Sequence, residues 1–208
     1  VIGLIVTARH NPTQDKGLKW IIQSEPPSPE MIQQVGESAE HCFYQKQNKV
    51  EIPVHSHEIK AEYCLKYQNA LLSDIQLKRP LKVVLDGLHG SAGRCADLVL
   101  QKMGCEVISI RCQADGNFPD HPPDPSLAIH LIQLQHNIRL HQADLGIALD
   151  GDGDRVVLVD ENAHIISADR LLSLFAKLCL TSHPAHEVVF DVKCSSMVKN
   201  TVEQCGGH

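Results

Sequence analysis

The 208-residue chain has no C-x-x-C pair anywhere, although it carries eight cysteines. Cys42, Cys64, Cys95, Cys105, Cys112, Cys179, Cys194 and Cys205 are scattered along it. That scatter argues against a zinc or dithiol redox motif and reads as free thiols in a reducing compartment, the cytoplasm. The chain also lacks an excess of positive charge, with 19 Lys and Arg against 25 Asp and Glu and a formal net charge of −6. This balance excludes nucleic acid as a partner and gives no basic face for a membrane surface. The apolar opening "VIGLIVTA" does not read as a secretory leader: it has no basic residues before it, is too short for a hydrophobic region plus a cleavage site, and starts with Val rather than Met. It reads as a buried strand in a piece of a longer chain. No internal repeat is visible, and the Gln-containing stretch around 33–47 is too mixed to be of low complexity.

What is present is enough apolar material, 43% of residues, to fill one large domain or two small ones. Short apolar runs predict strands at 2–6, 81–85, 107–110, 145–149, 156–159 and 188–190. Helical spacing marks the segments 29–45, 58–75, 91–103, 126–141, 168–180 and 196–205. This alternation predicts an α/β fold, with mainly parallel sheets covered by helices on both faces. A boundary is expected at "LKRP", residues 77–80, because Pro80 disfavours helix at Arg79. The expected domains are therefore 1–78 and 79–208.

The stretch richest in chemistry is "ALDGDGDRVVLVDE", residues 148–161. Asp150, Asp152 and Asp154 alternate with glycines and run into Arg155. Three like charges in five residues repel unless a cation lies between them, and Mg²⁺ is a hard cation held by a few carboxylates plus phosphate or water. Gly151 and Gly153 would let the backbone turn tightly enough for the carboxylates to converge. Two other readings stand beside this one. An EF-hand loop matches at its positions 1, 3, 5 and 12 but has Arg155 where glycine is needed and strand-like flanks; a solvated acidic turn is the second.

Three further stretches are of interest. "TARHNPTQDKGLK", residues 7–19, follows the first predicted strand, where sites of open α/β sheets lie, although His10 alone reads as an ordinary loop histidine. "ADGNFPDHPPDPS", residues 114–126, is too rich in proline for a helix or central strand and reads as a long connection. "LDGLHGSAGR", residues 85–94, is a strand, glycine turn and helix start without the ending of a P-loop, so tight-turn packing is its expected role.

Taken together, these stretches resemble the α-D-phosphohexomutase family, and among its branches the bacterial bifunctional phosphomannomutase/phosphoglucomutases. The family's phosphoserine loop, T-[AG]-S-H-N-P followed by G-x-K, is similar to "TARHNP" and "GLK". Its metal loop D-G-D-G-D-R stands at 150–155, and "DGNFPDHPPDP" and "VVFDVKCS" follow the family in the same order. The resemblance implies a four-domain parent, of which 1–78 is the end of domain 1 and 79–208 is most of domain 2. The sugar loop of domain 3 and the phosphate loop of domain 4 would lie beyond this chain. It implies a phosphotransferase of the isomerase class that interconverts hexose 1-phosphate and hexose 6-phosphate, of mannose or glucose, through a phosphoserine and a hexose 1,6-bisphosphate.

It further implies Mg²⁺ on Asp150, Asp152 and Asp154. Arg155 and Lys19 would bind substrate phosphate, Lys19 would assist proton transfer, and His10 and Asn11 would shape the loop; loops 7–12 and 150–155 should then face one another. One departure bears on all of this. Position 9, where the family has its serine, is Arg9, a guanidinium with no oxygen to phosphorylate. With Arg9 at the serine position and domains 3 and 4 lying beyond it, the chain alone is expected to be inactive. The alternative is a non-catalytic relative that keeps a metal or sugar-phosphate surface.

Overall fold

The computed structural model describes residues 2–7, 17–44, 60–73 and 75–208. Strands β1 (Ile2–Thr7) and β2 (Gly17–Ile22) pair antiparallel, from Ile2 against Ile22 to Thr7 against Gly17. Helix α1 (Pro29–Tyr44) opens with Ser28, whose Oγ accepts the Met31 N–H at 3.3 Å. Pro29 supplies a pre-set φ at the first helical position and Glu30 a negative charge near the positive end of the helix dipole. Helix α2 (Lys60–Leu72) leans on the next unit through Lys102 Nζ, which donates to Gln68 Oε1 at 2.9 Å.

The larger unit contains β3 (Lys82–Asp86), α3 (Gly93–Lys102), β4 (Glu106–Ile110), a 3-10 turn at Ala128–Leu131, and α4 (Ile132–His141). After these come β5 (Leu145–Leu149), β6 (Val156–Asp160), β7 (Ile165–Ile166), α5 (Ala168–Ser182) and α6 (Ser196–Gln204). The strands lie in the order β4-β3-β5-β6-β7. The α/β class expected from the sequence is what the chain adopts. β3 runs parallel to β4 and β5, as expected, whereas β5 with β6 and β6 with β7 are antiparallel. The sheet is mixed because only the short acidic segment 150–155 joins β5 to β6, and a parallel return needs a crossover of about a dozen residues.

The chain steps from β3 to β4 through α3, then back past β3 to β5 through α4. With right-handed crossovers, reversing direction places the two helices on opposite faces of the sheet. Central strand β3 is accordingly buried from Val83 to Asp86, the continuous apolar pattern of a strand covered on both sides. Leu131, Leu134 and Ile138, spaced at helical intervals, press against Val84, Ala148 and Val159. Gly146 makes this closeness possible, since a Cβ there would lie 2.4 Å from Ile138 Cδ1.

Three elements differ from the sequence expectation. Residues 188–190 form no strand: Val189 is 92% exposed, and the Val188 N–H donates to the His208 carbonyl at 2.9 Å. β-branched residues favour a strand only where a neighbour accepts the ladder. Conversely, β2 and β7 escaped prediction because each is defined by the strand beside it rather than by its own pattern. Among the described residues, no helix is long and apolar enough to cross a membrane.

Leu134→Ala should cost about 2–5 kcal/mol in urea denaturation, whereas Leu140→Ala, on the exposed face of the same helix, should stay within about 0.5 kcal/mol.

Candidate functional site

The connections leaving β3 and β5 run in opposite directions, so the carboxyl ends of these neighbours open a crevice where ligands bind in open α/β sheets. The segment 150–155 sits there. Asp150 follows the last residue of β5 and is fully buried. Its backbone N–H donates to the Arg155 carbonyl at 3.3 Å and its carbonyl accepts the Gly153 N–H at 3.2 Å, closing the turn. Gly153 has φ +75, and a Cβ there would lie 2.4 Å from Ala92 Cβ, so glycine is needed twice over. From the β3 side, Ser91 donates its N–H to the Gly151 carbonyl at 3.0 Å and its hydroxyl to the same oxygen at 3.3 Å. A Cβ on Gly90 would lie 2.7 Å from the Asp150 carbonyl oxygen, so the two loops touch backbone to backbone.

This turn brings Asp150, Asp152 and Asp154 together, with one carboxylate oxygen of each within 4.8 Å of the others. Asp150 Oδ1 accepts the Arg155 N–H at 3.1 Å, while Oδ2 is buried and has no hydrogen-bond partner. Lys19, on β2, places Nζ 3.2 Å from Asp152 Oδ2 and 3.9 Å from Asp154 Oδ2. Arg155 is half exposed, its Nε 3.9 Å from Asp154 Oδ1. An open cleft of about 520 Å³ lies between the hairpin and the turn, lined on one side by Thr7 and Lys19 and on the other by Ser91, Gly151, Asp152 and Asp154. Lys19, Arg155 and the three aspartates are thus gathered at one place. Arg9, His10 and Asn11 lie outside the described residues.

Sequence reasoning passed over Asp86, His89, Ser91 and Arg111. Asp86 and Arg111 stand where an apolar strand gives way to its loop, at the carboxyl ends of β3 and β4. That placement is a signal available from the sequence alone.

Burial pushes the Asp150 carboxyl above the ordinary aspartate range, and the charges of Asp152 and Asp154 add to the rise, against the lowering effect of the Arg155 N–H. Its proton is therefore held more tightly in the folded than in the unfolded chain. The stabilisation from that proton is present below the ordinary aspartate value and is lost as the pH rises through the raised one. Asp150→Asn should accordingly make the metal-free chain more stable at neutral pH and flatten the decline, read as urea midpoints from about pH 4 to pH 7.

The comparisons with known proteins agree with this layout. Residues 61–163 match the family profile described as phosphoglucomutase/phosphomannomutase, alpha/beta/alpha domain II. The chain is 37% identical over 206 residues to the phosphomannomutase/phosphoglucomutase of Pseudomonas putida, covering 99% of this chain and 43% of that one. It is 32% identical over 205 residues to a phosphoglucomutase of Neisseria meningitidis serogroup A, covering 99% and 44%. A crystal structure of a phosphoglucomutase/phosphomannomutase family protein from Burkholderia thailandensis superposes with a TM-score of 0.85 at 32% identity, over 99% of this chain and 43% of that one. The chain spans less than half the length of these relatives. With the match running from the β1–β2 hairpin through the acidic turn, the chain belongs to the phosphoglucomutase/phosphomannomutase family of phosphohexomutases.

Proposed function

We propose that this chain carries the cation-holding part of a mutase that interconverts hexose 1-phosphate and hexose 6-phosphate, of mannose or glucose. The observation that carries the reading is Asp150 Oδ2, a buried carboxylate oxygen with no partner, set within 4.8 Å of carboxylate oxygens from Asp152 and Asp154. A buried charged oxygen left unmatched is costly, and a divalent cation removes the cost. The donor set suits Mg²⁺, which takes oxygen ligands and leaves positions for phosphate or water. When bound, Mg²⁺ would neutralise charge on a phosphoryl group in transfer.

The chain's own residues would do the rest. Lys19 lies across the cleft from the carboxylates, where its ammonium would meet a phosphate or hold a proton for the sugar hydroxyl. Arg155 presents a planar fork of donors beside the turn, suited to a phosphate's oxygens. The family reaction that the resemblance implies needs a serine where this chain has Arg9: with it, a serine-borne phosphoryl group would pass to the hexose phosphate, giving hexose 1,6-bisphosphate, and the other phosphoryl group would return to the serine. The proposed division places the hairpin loop in 1–78 and the acidic turn in 79–208, with the cleft between them. The eight cysteines are all free, which suits a reducing cytoplasm.

Arg9 favours a second reading. A guanidinium at the serine position takes up no phosphoryl group, so this chain would retain cation and sugar-phosphate binding without turnover. Arg9 would also bring positive charge into the loop that the family resemblance sets facing the aspartates.

Two experiments test these statements. Calorimetric titration with Mg²⁺ should show binding to the unaltered chain and at least about tenfold weaker binding to Asp152→Asn; equal affinity would remove the carboxylates from the site. Incubation with glucose 1,6-bisphosphate, followed by intact mass measurement, should leave the unaltered chain unmodified and add one phosphoryl group to Arg9→Ser. Uptake by the unaltered chain would show that the acceptor is elsewhere.

A further inference from the structure

Behind the acidic turn lies a buried polar network that none of the roles above uses. Asp86, at the carboxyl end of β3, is fully buried and receives both arms of the Arg111 guanidinium. Nε of Arg111 donates to Asp86 Oδ1 at 3.0 Å and Nη2 to Asp86 Oδ2. The same guanidinium reaches two more segments. Nη2 donates to the His130 carbonyl at 3.1 Å, Nη1 lies 2.6 Å from His121 Nε2, and Nη1 is 3.6 Å from Asp120 Oδ2. Only 6% of the Arg111 side chain is exposed.

The pair governs loop 87–91 from both ends. Asp86 Oδ1 also accepts the Leu88 N–H at 3.1 Å, and the Arg111 carbonyl accepts the His89 N–H at 2.8 Å. His89 in turn has Nε2 3.3 Å from Asp120 Oδ2, and its carbonyl accepts the Asp115 N–H at 3.0 Å. Leu88, His89 and Arg111 all have positive φ, at 44°, 59° and 51°. Residues with side chains keep that region only when their surroundings over-determine it. Two residues further on, Ser91 donates twice to Gly151 between the first two aspartates.

The stacked rings of His121 and His130, with centroids 3.9 Å apart and planes 6° from parallel, close the far side. Burial holds the His121 ring below the ordinary histidine range, which suits a neutral ring whose Nε2 accepts from Arg111 and whose Nδ1 donates to the Pro122 carbonyl at 2.8 Å. Segment 114–126, with no role assigned above, is in this arrangement a brace clamped on Arg111.

We propose that Arg111 is a positioning residue for the acidic turn: anchored on Asp86 and braced by Asp120 and His121, it holds loop 87–91 in the strained form that fixes Gly151 and thereby spaces the three carboxylates. The link to cation binding rests on the reading of the turn given above, whereas the mechanical part does not.

Amide hydrogen exchange on the full chain separates the two. Arg111→Lys keeps a charge for Asp86 but loses the fork, and Asp120→Asn alters only a surface-accessible partner. Both should speed exchange at the His89 and Ser91 amides by about tenfold or more relative to Val84 in the core strand, since the loop would open without global unfolding. Mn²⁺ affinity, followed by electron paramagnetic resonance, should weaken in parallel. If Asp120→Asn leaves Ser91 exchange unchanged, or changes it only in step with Val84, the positioning role is overturned. Absence of Mn²⁺ binding in the unaltered chain would overturn the cation reading alone, with the exchange comparison still deciding Arg111.

Discussion

Three carboxylates confined to one tight turn repel each other, and the surroundings of the crevice are organised around that repulsion. Asp150 is buried at the end of β5, Asp152 and Asp154 converge on it, and Lys19 comes across from the hairpin to meet them. In a low-dielectric setting neither the burial nor the crowding is tolerable without positive charge close by. Glycines carry the geometric side of the same constraint. Gly90 and Gly153 stand where a side chain would strike the opposite loop, so the turn is supported by backbone contact on the β3 side.

The sheet supplies rigidity for this arrangement. β3 and β5 are parallel neighbours whose outgoing connections diverge, which leaves space above their carboxyl ends, over the packed cluster of Val84, Leu134, Ile138 and Ala148. Asp86 and Asp150 occupy corresponding places there, each fully buried at the end of an apolar strand. They are matched differently. Asp86 has a guanidinium on both oxygens, whereas Asp150 has one oxygen satisfied by backbone and one left open. A paired buried carboxylate braces a structure and an incompletely matched one suits ligand binding; this contrast separates the scaffold from the candidate site.

Much of the fold could be read from local pattern. The apolar run 145–149 predicts β5, which occupies Leu145–Leu149, and α1, α3, α5 and α6 fall within a few residues of their predicted bounds. Those elements have strong periodicity or a continuous apolar run, and capping side chains such as Ser28 and Ser167 mark their starts. β2 was not legible, because its pattern gains meaning only through β1, and 188–190 misled because three β-favouring residues looked like a strand where no partner strand lies. The acidic turn was legible for a different reason: like charges at alternate positions between glycines are too costly to be casual.

The sequence alone determined the alternation of strands and helices and the tight turn carrying three carboxylates, because each depends on neighbours a few residues apart. Tertiary structure decided that Lys19 meets Asp152 across 133 positions of chain, and that Arg111 joins β3, the 3-10 turn and segment 114–126. It also decided that the sheet turns antiparallel after β5. These are consequences of which strand lies beside which, a choice set by the summed burial of the whole core and by crossover handedness, and no short window of sequence contains it.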